Sequence, residues 1–398
     1  MNARFLQIHT LTSYPAALLN RDDAGFAKRI PFGGVTRTRI SSQCLKRHWR
    51  TFEGEQSLAK IEGAEMSVRS RLSFEKYVLE PLLKEEIEEA KATAVIKALM
   101  AEVLGKSAKA KNAKDDEQKS KEDTVHTNQV TVLGHPELSY LLEQARQICA
   151  EITDPKKATE VTKKHFDKEA KKNLKGLKMA AGLGAALFGR MVTSDILARG
   201  DAAVHVAHAF TVHAEESESD YFSAVDDLLA AEGELGSGHI NSVELNSGLY
   251  YGYVAIDLPL LVSNLDGCEQ KDWQNADRKL AAEVIRRLLK IIATVSPGAK
   301  LGSTAPYAYA QMILVESGNE QPRTLANAFL KPVSERPDLL SNAYNELGRH
   351  LKDFDGTYGK ASQRRYLAMG PVEQLGIEDG KLNLDELAAW TAGRVLEA

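Results

Sequence analysis

The sequence is poor in cysteine and has no long apolar run. Its 398 residues contain three cysteines, Cys44, Cys149 and Cys268, which lie far apart and form no CxxC pair. This spacing argues against a disulfide framework or a zinc knuckle and is typical of a reducing compartment. No apolar run reaches the roughly 18 residues of a membrane helix, and the first residues lack a signal-peptide pattern. We therefore predict a cytoplasmic protein with no membrane association.

Patterns typical of phosphate loops and metal sites are also scarce. Residues 105–107 (GKS) resemble the end of a P-loop, but Met100 stands where the motif needs its first glycine. His205, His208 and His213 fall on a predicted strand, whose alternation turns His208 into the apolar face and away from the other two. Histidines of the core or of a sheet edge are therefore favoured over a metal site.

Two pairs of adjacent carboxylates remain as candidates for chemistry. Asp22-Asp23 and Asp226-Asp227 have the ligand type that a divalent ion prefers. The first pair neighbours Arg21 and the second lies in an acidic segment, so ion pairing or helix capping is the favoured interpretation. We expect no metal, no cofactor and no catalytic residue, and hence a protein that is not an enzyme.

The formal net charge of −4 hides two basic segments. Residues 21–50 carry eight Lys and Arg against two Asp, and residues 151–178 carry nine Lys against five acidic residues. Because charge acts locally at physiological salt, a mildly acidic protein with basic faces can bind a polyanion. The composition therefore permits nucleic-acid binding.

The order of the predicted elements favours an α+β fold. Strands are predicted at 4–11, 203–213, 248–258 and 308–316, and helices at 42–52, 281–293 and 340–351. A helical stretch at 60–200, with a mobile loop at 106–123, and an acidic loop at 214–247 are inserted among them, and a capping box of Asn383 and Glu386 begins a C-terminal helix. Without the insertions the order is βαββαβ, that of ferredoxin-like or RRM domains. No RNP1-type aromatic motif is found, so stacking of bases on the sheet is not expected.

The segment 37–50, RTRISSQCLKRHWR, has the most informative pattern. A helix that begins at Ser42 has an apolar stripe formed by Cys44, Leu45, His48, Trp49 and Phe52. The opposite face carries Gln43, Lys46, Arg47 and Arg50. The helix N-terminus adds backbone N–H groups beside the hydroxyls of Ser41 and Ser42. This surface suits phosphate binding, and an ordinary amphipathic helix with a solvated basic face is an equal alternative.

A second basic segment, 156–178, has lysines around much of a predicted helix and few aromatic residues. Such lysines suit non-specific contact with a nucleic-acid backbone. On the sequence alone, a solvated charged face is favoured for this segment.

Several short motifs occur in one order along most of the chain. They are Leu19-Asn20-Arg21-Asp22-Asp23, Phe32-Gly33-Gly34, Arg39-Ile40-Ser41-Ser42-Gln43, Leu45-Lys46-Arg47, Gly189-Arg190-Met191, Ala207-His208-Ala209, Ala224-Val225-Asp226-Asp227-Leu228, Pro297-Gly298-Ala299-Lys300 and Ala326-Asn327-Ala328-Phe329. In these motifs the sequence resembles the CasC-type backbone subunit of the type I-E CRISPR Cascade complex, a member of the RAMP superfamily. Residues 60–175 and those beyond about 335 match it only loosely.

The resemblance implies an RRM-like palm with a large helical insertion, the fingers, and a long thumb loop. The implied palm comprises residues 1–58, 203–213 and 247–365. The fingers would be 59–202, the thumb 214–246, and 366–398 a C-terminal tail helix.

The resemblance also implies roles for single residues. Guide phosphates and sugars would be held by Arg21, Lys28, Ser41, Gln43, Lys46, Arg47 and Arg50. Met191 would lie under a displaced base, and the thumb would contact bases through Tyr221, Phe222 and Val225. Target DNA would meet the fingers at Lys156, Lys157, Lys163, Lys164 and Lys168.

The implied partners are a CRISPR RNA, target DNA, further copies of the chain and other Cascade subunits, namely the large, small, guide-end-capping and repeat-processing ones. Sequence choice would then be left to base pairing, which agrees with plentiful phosphate-binding residues and no base-reading pattern. The alternative is a metal-dependent ribonuclease that cuts target RNA with a loop aspartate, Asp22 or Asp23. A stand-alone RNA-binding protein is a third possibility.

Overall fold

The protein divides into two compact units. The computed structural model describes residues 3–105, 125–177, 179–190, 197, 200–225, 237–360, 362–370, 372–377 and 380–397. Residues 1–57, 205–256 and 284–398 form one unit, here called the sheet unit, and residues 58–204 and 257–283 form the other, here called the helical unit. The sequence-based division assigned 257–283 to the palm, whereas these residues cluster with the helical unit.

The strands that the described residues form are numbered along the chain. They are β1 (Phe5–Ala17), β2 (Arg29–Phe32), β3 (Val35–Ile40), β4 (Val68–Ser70), β5 (Thr131–Leu133), β6 (Val204–Val206), β7 (Ala209–Thr211), β8 (Ser217–Val225), β9 (Ser237–Asp257), β10 (Met312–Gly318) and β11 (Gln363–Ala368). The main sheet runs in the order β11-β10-β1-β9-β7-β3-β2, and β8 pairs with β9. Strands and helices alternate in one mixed architecture, which confirms the α+β class.

The sheet is covered by helices on both faces. On one face, Leu45 and Trp49 of the helix Ser42–Thr51 (α1) and Ile292 of the helix Lys279–Thr294 line a cavity of about 40 Å³ against β1 and β9. On the other face, residues of β1, β9 and β10 join Tyr344 and Leu347 of the helix Leu339–Tyr358 in one apolar cluster. This arrangement explains why the first four residues of β10, Met312 to Val315, are all apolar rather than alternating, because a strand buried on both sides favours apolar residues on both faces.

The helical unit has its own apolar core. Its α-helices are Glu80–Lys84, Glu89–Leu104, His135–Glu151, Ala158–His165, Lys168–Lys175, Leu183–Phe188 and Leu258–Asp266, as far as this part of the chain is described. One cluster of buried side chains extends from Phe74 to Leu197 and includes Leu99 and Leu141. A buried ion pair adds to it, since both terminal nitrogens of Arg190 lie 2.7 Å from carboxylate oxygens of Glu137. The hydrophobic periodicity predicted at 60–200 therefore corresponds to a separate helical core.

The predicted helices begin close to the predicted positions, although the helix predicted at 340–351 extends to Tyr358. The predicted helices 42–52, 281–293 and 340–351 correspond to Ser42–Thr51, Lys279–Thr294 and Leu339–Tyr358. The C-terminal helix Leu384–Glu397 begins with the predicted capping box, in which the Asn383 N–H donates to Glu386 and the Glu386 N–H donates back to Asn383, both over 3.0 Å. The mobile loop predicted at 106–123 and the Asp226-Asp227 pair lie outside the described residues.

Three predictions about the segment 203–247 are wrong. The strand predicted at 203–213 is interrupted, and His208, which was predicted to point into the apolar face, is exposed in the gap between β6 and β7. The acidic segment predicted as a loop contains an antiparallel ribbon, with Ser217 of β8 opposite Asn246 of β9 and Phe222 opposite Asn241. The sequence of β8 shows no alternation of apolar and polar residues that would predict a strand, because both faces of much of β8 are exposed to solvent.

Candidate nucleic-acid interface

The N-terminus of α1 is fixed by two side chains. Ser41 has extended backbone dihedrals, and its hydroxyl accepts a hydrogen bond from the Cys44 N–H at 3.3 Å, as an N-cap residue does. The N–H of Ser41 in turn donates to Oδ1 of Asn20 over 2.9 Å. Ser41 is only 5% exposed. Its hydroxyl is therefore engaged in capping the helix, whatever else it contacts.

The polar face of α1 is arranged as the periodicity predicts. Gln43 and Arg47 are exposed and Lys46 and Arg50 are half-buried, whereas Trp49 on the opposite side is buried. Partial burial lowers the pKa of the Lys46 ammonium from its usual value. Three cations and an amide are thus presented together beside a helix N-terminus.

A short loop before α1 adds further cations. A groove of about 810 Å³ is lined by Arg21, Asp22, Asp23, Ala27, Lys28, Arg29 and Arg39. Asn20 holds the base of this loop, because its carbonyl accepts from the Lys28 N–H over 2.9 Å while its side chain binds Ser41. The charges of Lys28 and Arg47 both act to lower the pKa of the Cys44 thiol, although burial raises it on balance. Lys28 and Arg47 therefore both lie close enough to Cys44 for their charges to act on it.

Not all of these cations are available to a ligand. Arg29 forms ion pairs with Glu215 and Glu244. Arg39 lies with Nη1 2.9 Å from Nδ1 of His208, and desolvation together with the charges of Arg39 and Lys28 lowers the pKa of that imidazole. A neutral His208 can accept this hydrogen bond. Of the cations that line the groove, Arg21 and Lys28 are the two for which the resemblance described above implies contact with the guide.

One basic residue of the segment 21–50 belongs to the core. Arg37 is fully buried, and its guanidinium donates to the carbonyls of Phe32, Thr211 and Phe329 at 3.2, 3.1 and 2.9 Å. The local excess of positive charge inferred from the sequence is therefore larger than the excess at the surface. Arg37 ties β3 to β7 and to the segment before the helix Leu339–Tyr358.

One of the two loop carboxylates, Asp22, has a structural partner. Asp22 closes a turn, since its Oδ1 accepts from the Phe26 N–H at 2.9 Å and its own N–H donates to the Phe26 carbonyl at 2.8 Å. Within the described residues there is no cluster of three or more His, Cys, Asp or Glu that could hold a metal ion. Of the three histidines considered as ligands, His213 is buried and hydrogen-bonded to the backbone at Ala214 and Leu249. It is a satisfied core histidine.

The predicted thumb residues lie on the exposed ribbon. Tyr221 is 65% exposed and Phe222 is 39% exposed, and as neighbours on β8 they point to opposite faces of the ribbon. The ammonium of Lys300 lies 5.8 Å from the centre of the Phe222 ring. Val225 is the last described residue of β8, and its side chain lies outside the described part. Met191 also lies outside the described residues.

The predicted DNA-contacting lysines lie in the helical unit. Lys156, Lys157, Lys163, Lys164 and Lys168 are all exposed. The single lysine-rich helix predicted here is two helices, Ala158–His165 and Lys168–Lys175, because Asp167 caps the second by accepting from the N–H groups of Glu169 and Ala170. Buried Phe166 marks the break.

Over 97% of its length the chain has the fold of chains from CRISPR RNA-guided surveillance complexes. A chain of a structure described as a "CRISPR RNA-guided surveillance complex, pre-nicking" is 25% identical, with a TM-score of 0.72, and the match covers 97% of this chain and 100% of that one. A chain of a "CRISPR RNA-guided surveillance complex" has the same fold at 19% identity, with a TM-score of 0.52 over 97% and 99% of the two chains.

The family is shown by the sequence itself. The family of CT1975-like proteins matches residues 6–390, and the chain belongs to that family. These matches confirm the resemblance to the CasC-type backbone subunit. No curated protein matches the chain. Within the described residues, none of the helices combines the length and the apolar character required to cross a bilayer.

Proposed function

We propose that the chain is a non-catalytic backbone subunit that binds a CRISPR RNA through its sugar-phosphate chain. Several copies would line up along one guide and support its pairing with target DNA in antiviral defence. The observation that carries this proposal is the cationic surface formed by the polar face of α1 and the loop before it. The family membership and the match to surveillance-complex chains support the same conclusion.

The chemistry of the surface favours backbone contact over base reading. The charged ends of lysine and arginine beside a capped helix N-terminus attract the phosphates of an RNA whatever its base sequence. When these side chains neutralise phosphates, the counterions condensed on the RNA are released. Base-specific reading of RNA needs unstacked bases held against hydrogen-bonding edges. In the sheet unit, helices cover both faces of the central strands, so the described sheet has no open face of the kind that RRM domains use.

The finer architecture follows the same proposal. The order β10-β1-β9-β7 corresponds to the fourth, first, third and second strands of a βαββαβ unit, which supports an RRM-like palm. The β8–β9 ribbon would serve as the thumb and the helical unit as the fingers, whose exposed lysines would meet target DNA. Other Cascade subunits would be further partners, and the three free cysteines agree with a cytoplasmic location.

The test is a mass measurement of the purified chain with and without a CRISPR RNA. Several chains per guide are expected, and the number should grow with guide length because the proposed contacts are independent of sequence. One chain per guide, whatever its length, would contradict assembly along the RNA and favour a stand-alone binding protein.

The ribonuclease alternative is tested separately. The assembled complex is incubated with complementary RNA and Mg²⁺, and the RNA is expected to remain intact. Cleavage at regular spacing that is lost on Asp23→Ala would overturn the non-catalytic assignment. Asp23 is the better probe, because Asp22→Ala would also open the turn that Asp22 closes.

A further inference from the structure

A second aromatic surface lies on the sheet unit, outside every predicted site. It is the segment 305–310, APYAYA, between the short helix Leu301–Thr304 and β10. Tyr307 is 73% exposed and Tyr309 is 68% exposed, whereas Pro306 and Ala310 are buried and Ala308 is half-buried. Exposure alternates along the segment, so both rings leave the protein on the same side.

The two rings are held outward by the backbone. The Ser296 hydroxyl donates to the Ala308 carbonyl and accepts from the Ala308 N–H, both over 2.9 Å. The Ala310 N–H donates to the Ala293 carbonyl over 2.8 Å. Ala308 itself packs against the apolar cluster that includes Ile40 and Tyr250, and Leu45 of α1 packs against the same cluster. Because the segment is pinned at these points, little further ordering of its backbone is needed when a ligand arrives.

Contacts on either side place this segment beside the candidate interface. The Ala299 N–H donates over 2.9 Å to the carbonyl of Leu18, two residues before Asn20. Lys300 lies against the Phe222 ring of the ribbon. The tyrosine segment therefore packs through Ala308 on the same apolar cluster as α1. The residues just before the segment connect it to the loop before α1 through Ala299 and to the ribbon through Lys300.

We propose that Tyr307 and Tyr309 form a platform on which unpaired bases of the RNA stack. This inference rests on the proposed function, because it takes the RNA to lie along α1. Aromatic faces accept every base, which suits a guide whose sequence varies. Residues 297–311 contain one lysine and no Asp or Glu, so nothing in the segment repels a polyanion. The rings would hold bases while the neighbouring cations hold phosphates.

The test compares Tyr307→Ala/Tyr309→Ala with the wild type and with Tyr307→Phe/Tyr309→Phe by anisotropy of a labelled single-stranded RNA. The alanine variant should bind about 5- to 150-fold more weakly for each base that loses its stack. The phenylalanine variant should bind as the wild type does, because the ring is kept. The dependence on salt should be unchanged, since stacking releases no counterions. Tyr358→Ala, which removes a ring 74% exposed on the helix Leu339–Tyr358, is the matched control and should have no effect.

An RNA backbone without bases separates stacking from contact with the sugar-phosphate chain. On abasic RNA the wild type and the alanine variant should bind equally. Equal binding of normal RNA by both proteins would overturn the inference while leaving the proposed function intact. Equal binding of normal RNA, together with fewer chains per guide for the alanine variant than for the wild type, would also overturn the platform. It would indicate instead that the two tyrosines contact a neighbouring copy of the chain. If the wild type bound no RNA, both the proposed function and the platform would be refuted.

Discussion

Replacing Lys46, Arg47 and Arg50 by alanine removes three positive charges from one face of α1. The replacement is compatible with the helix, because alanine has the highest helix propensity and the buried anchor Trp49 and the cap Ser41 are kept. If each cation neutralises one phosphate of a single strand, the slope of log K against log salt should become less steep by about 2, at about 0.7 per phosphate. Between 50 and 200 mM salt, the wild-type advantage should therefore shrink by about 20-fold.

The assay is a salt titration of binding to RNAs of unrelated sequence. The loss of affinity should be the same for all of them, since phosphates carry no sequence information. The matched control is Lys331→Ala/Lys352→Ala/Lys360→Ala, which removes the same charge from exposed positions of the same unit, away from α1 in sequence. The control should leave the slope unchanged.

The result that would refute the reasoning is an unchanged slope in the α1 variant with a normal unfolding transition. It would mean that this face does not meet phosphates. A loss that differs strongly between RNA sequences would equally contradict backbone contact, since it would require reading of bases.

Three further predictions concern the scaffold of the interface. Asn20→Ala should lower the free energy of unfolding by about 1–3 kcal/mol in urea titration, because the N–H of buried Ser41 loses its acceptor; a change below about 0.5 kcal/mol would show that this bond is unimportant. Arg37→Met should lower the free energy of unfolding by at least about 3 kcal/mol, because three buried carbonyls lose their hydrogen-bond donor. A stability equal to that of the wild type would contradict the structural role of Arg37. Acid should destabilise the sheet unit through Glu316 and His9. Burial raises the pKa of Glu316, but hydrogen bonds from His9 and Arg323 outweigh it and hold the pKa well below its usual value, and desolvation lowers the pKa of His9. Both groups bind protons more readily when unfolded, so stability should fall as the pH drops below about 6.5 and further below about 4.3. Thermal melts of wild type and Glu316→Gln from pH 7 to pH 2 should show a flatter pH dependence in the variant below about pH 4.3, and parallel curves there would exclude Glu316 as a cause.

The sequence predicted best where one local pattern decides the structure. The helix at Ser42 combines a capping residue with a regular apolar stripe, and the structure places its start and its buried Trp49 as expected. The capping box at Asn383 is equally local. The α+β class follows from the order of such elements, which is why it holds despite the errors within single segments.

The errors arose where long-range contacts decide. The charged residues of β8 form a strand only because β9 supplies a pairing partner from residue 237 onward. No pattern within the sequence of β8 predicts that pairing. Arg37 was counted as surface charge, because nothing local shows that three distant carbonyls will surround it. Tyr307 and Tyr309 were overlooked, although their alternation with small residues in PYAYA was visible. A strand-like period in a segment without β pairing was the missed signal.

Asn20 binds two points of the backbone that are far apart along the chain, Lys28 through its carbonyl and Ser41 through its side chain. The residues between Asn20 and Lys28 therefore form a loop whose two ends are hydrogen-bonded to each other at Asn20. Insertions or deletions among them would change the shape of the cationic groove without moving the start of α1. Related chains could in this way alter how tightly they hold a polyanion there while the helix that presents Lys46 and Arg47 keeps its position.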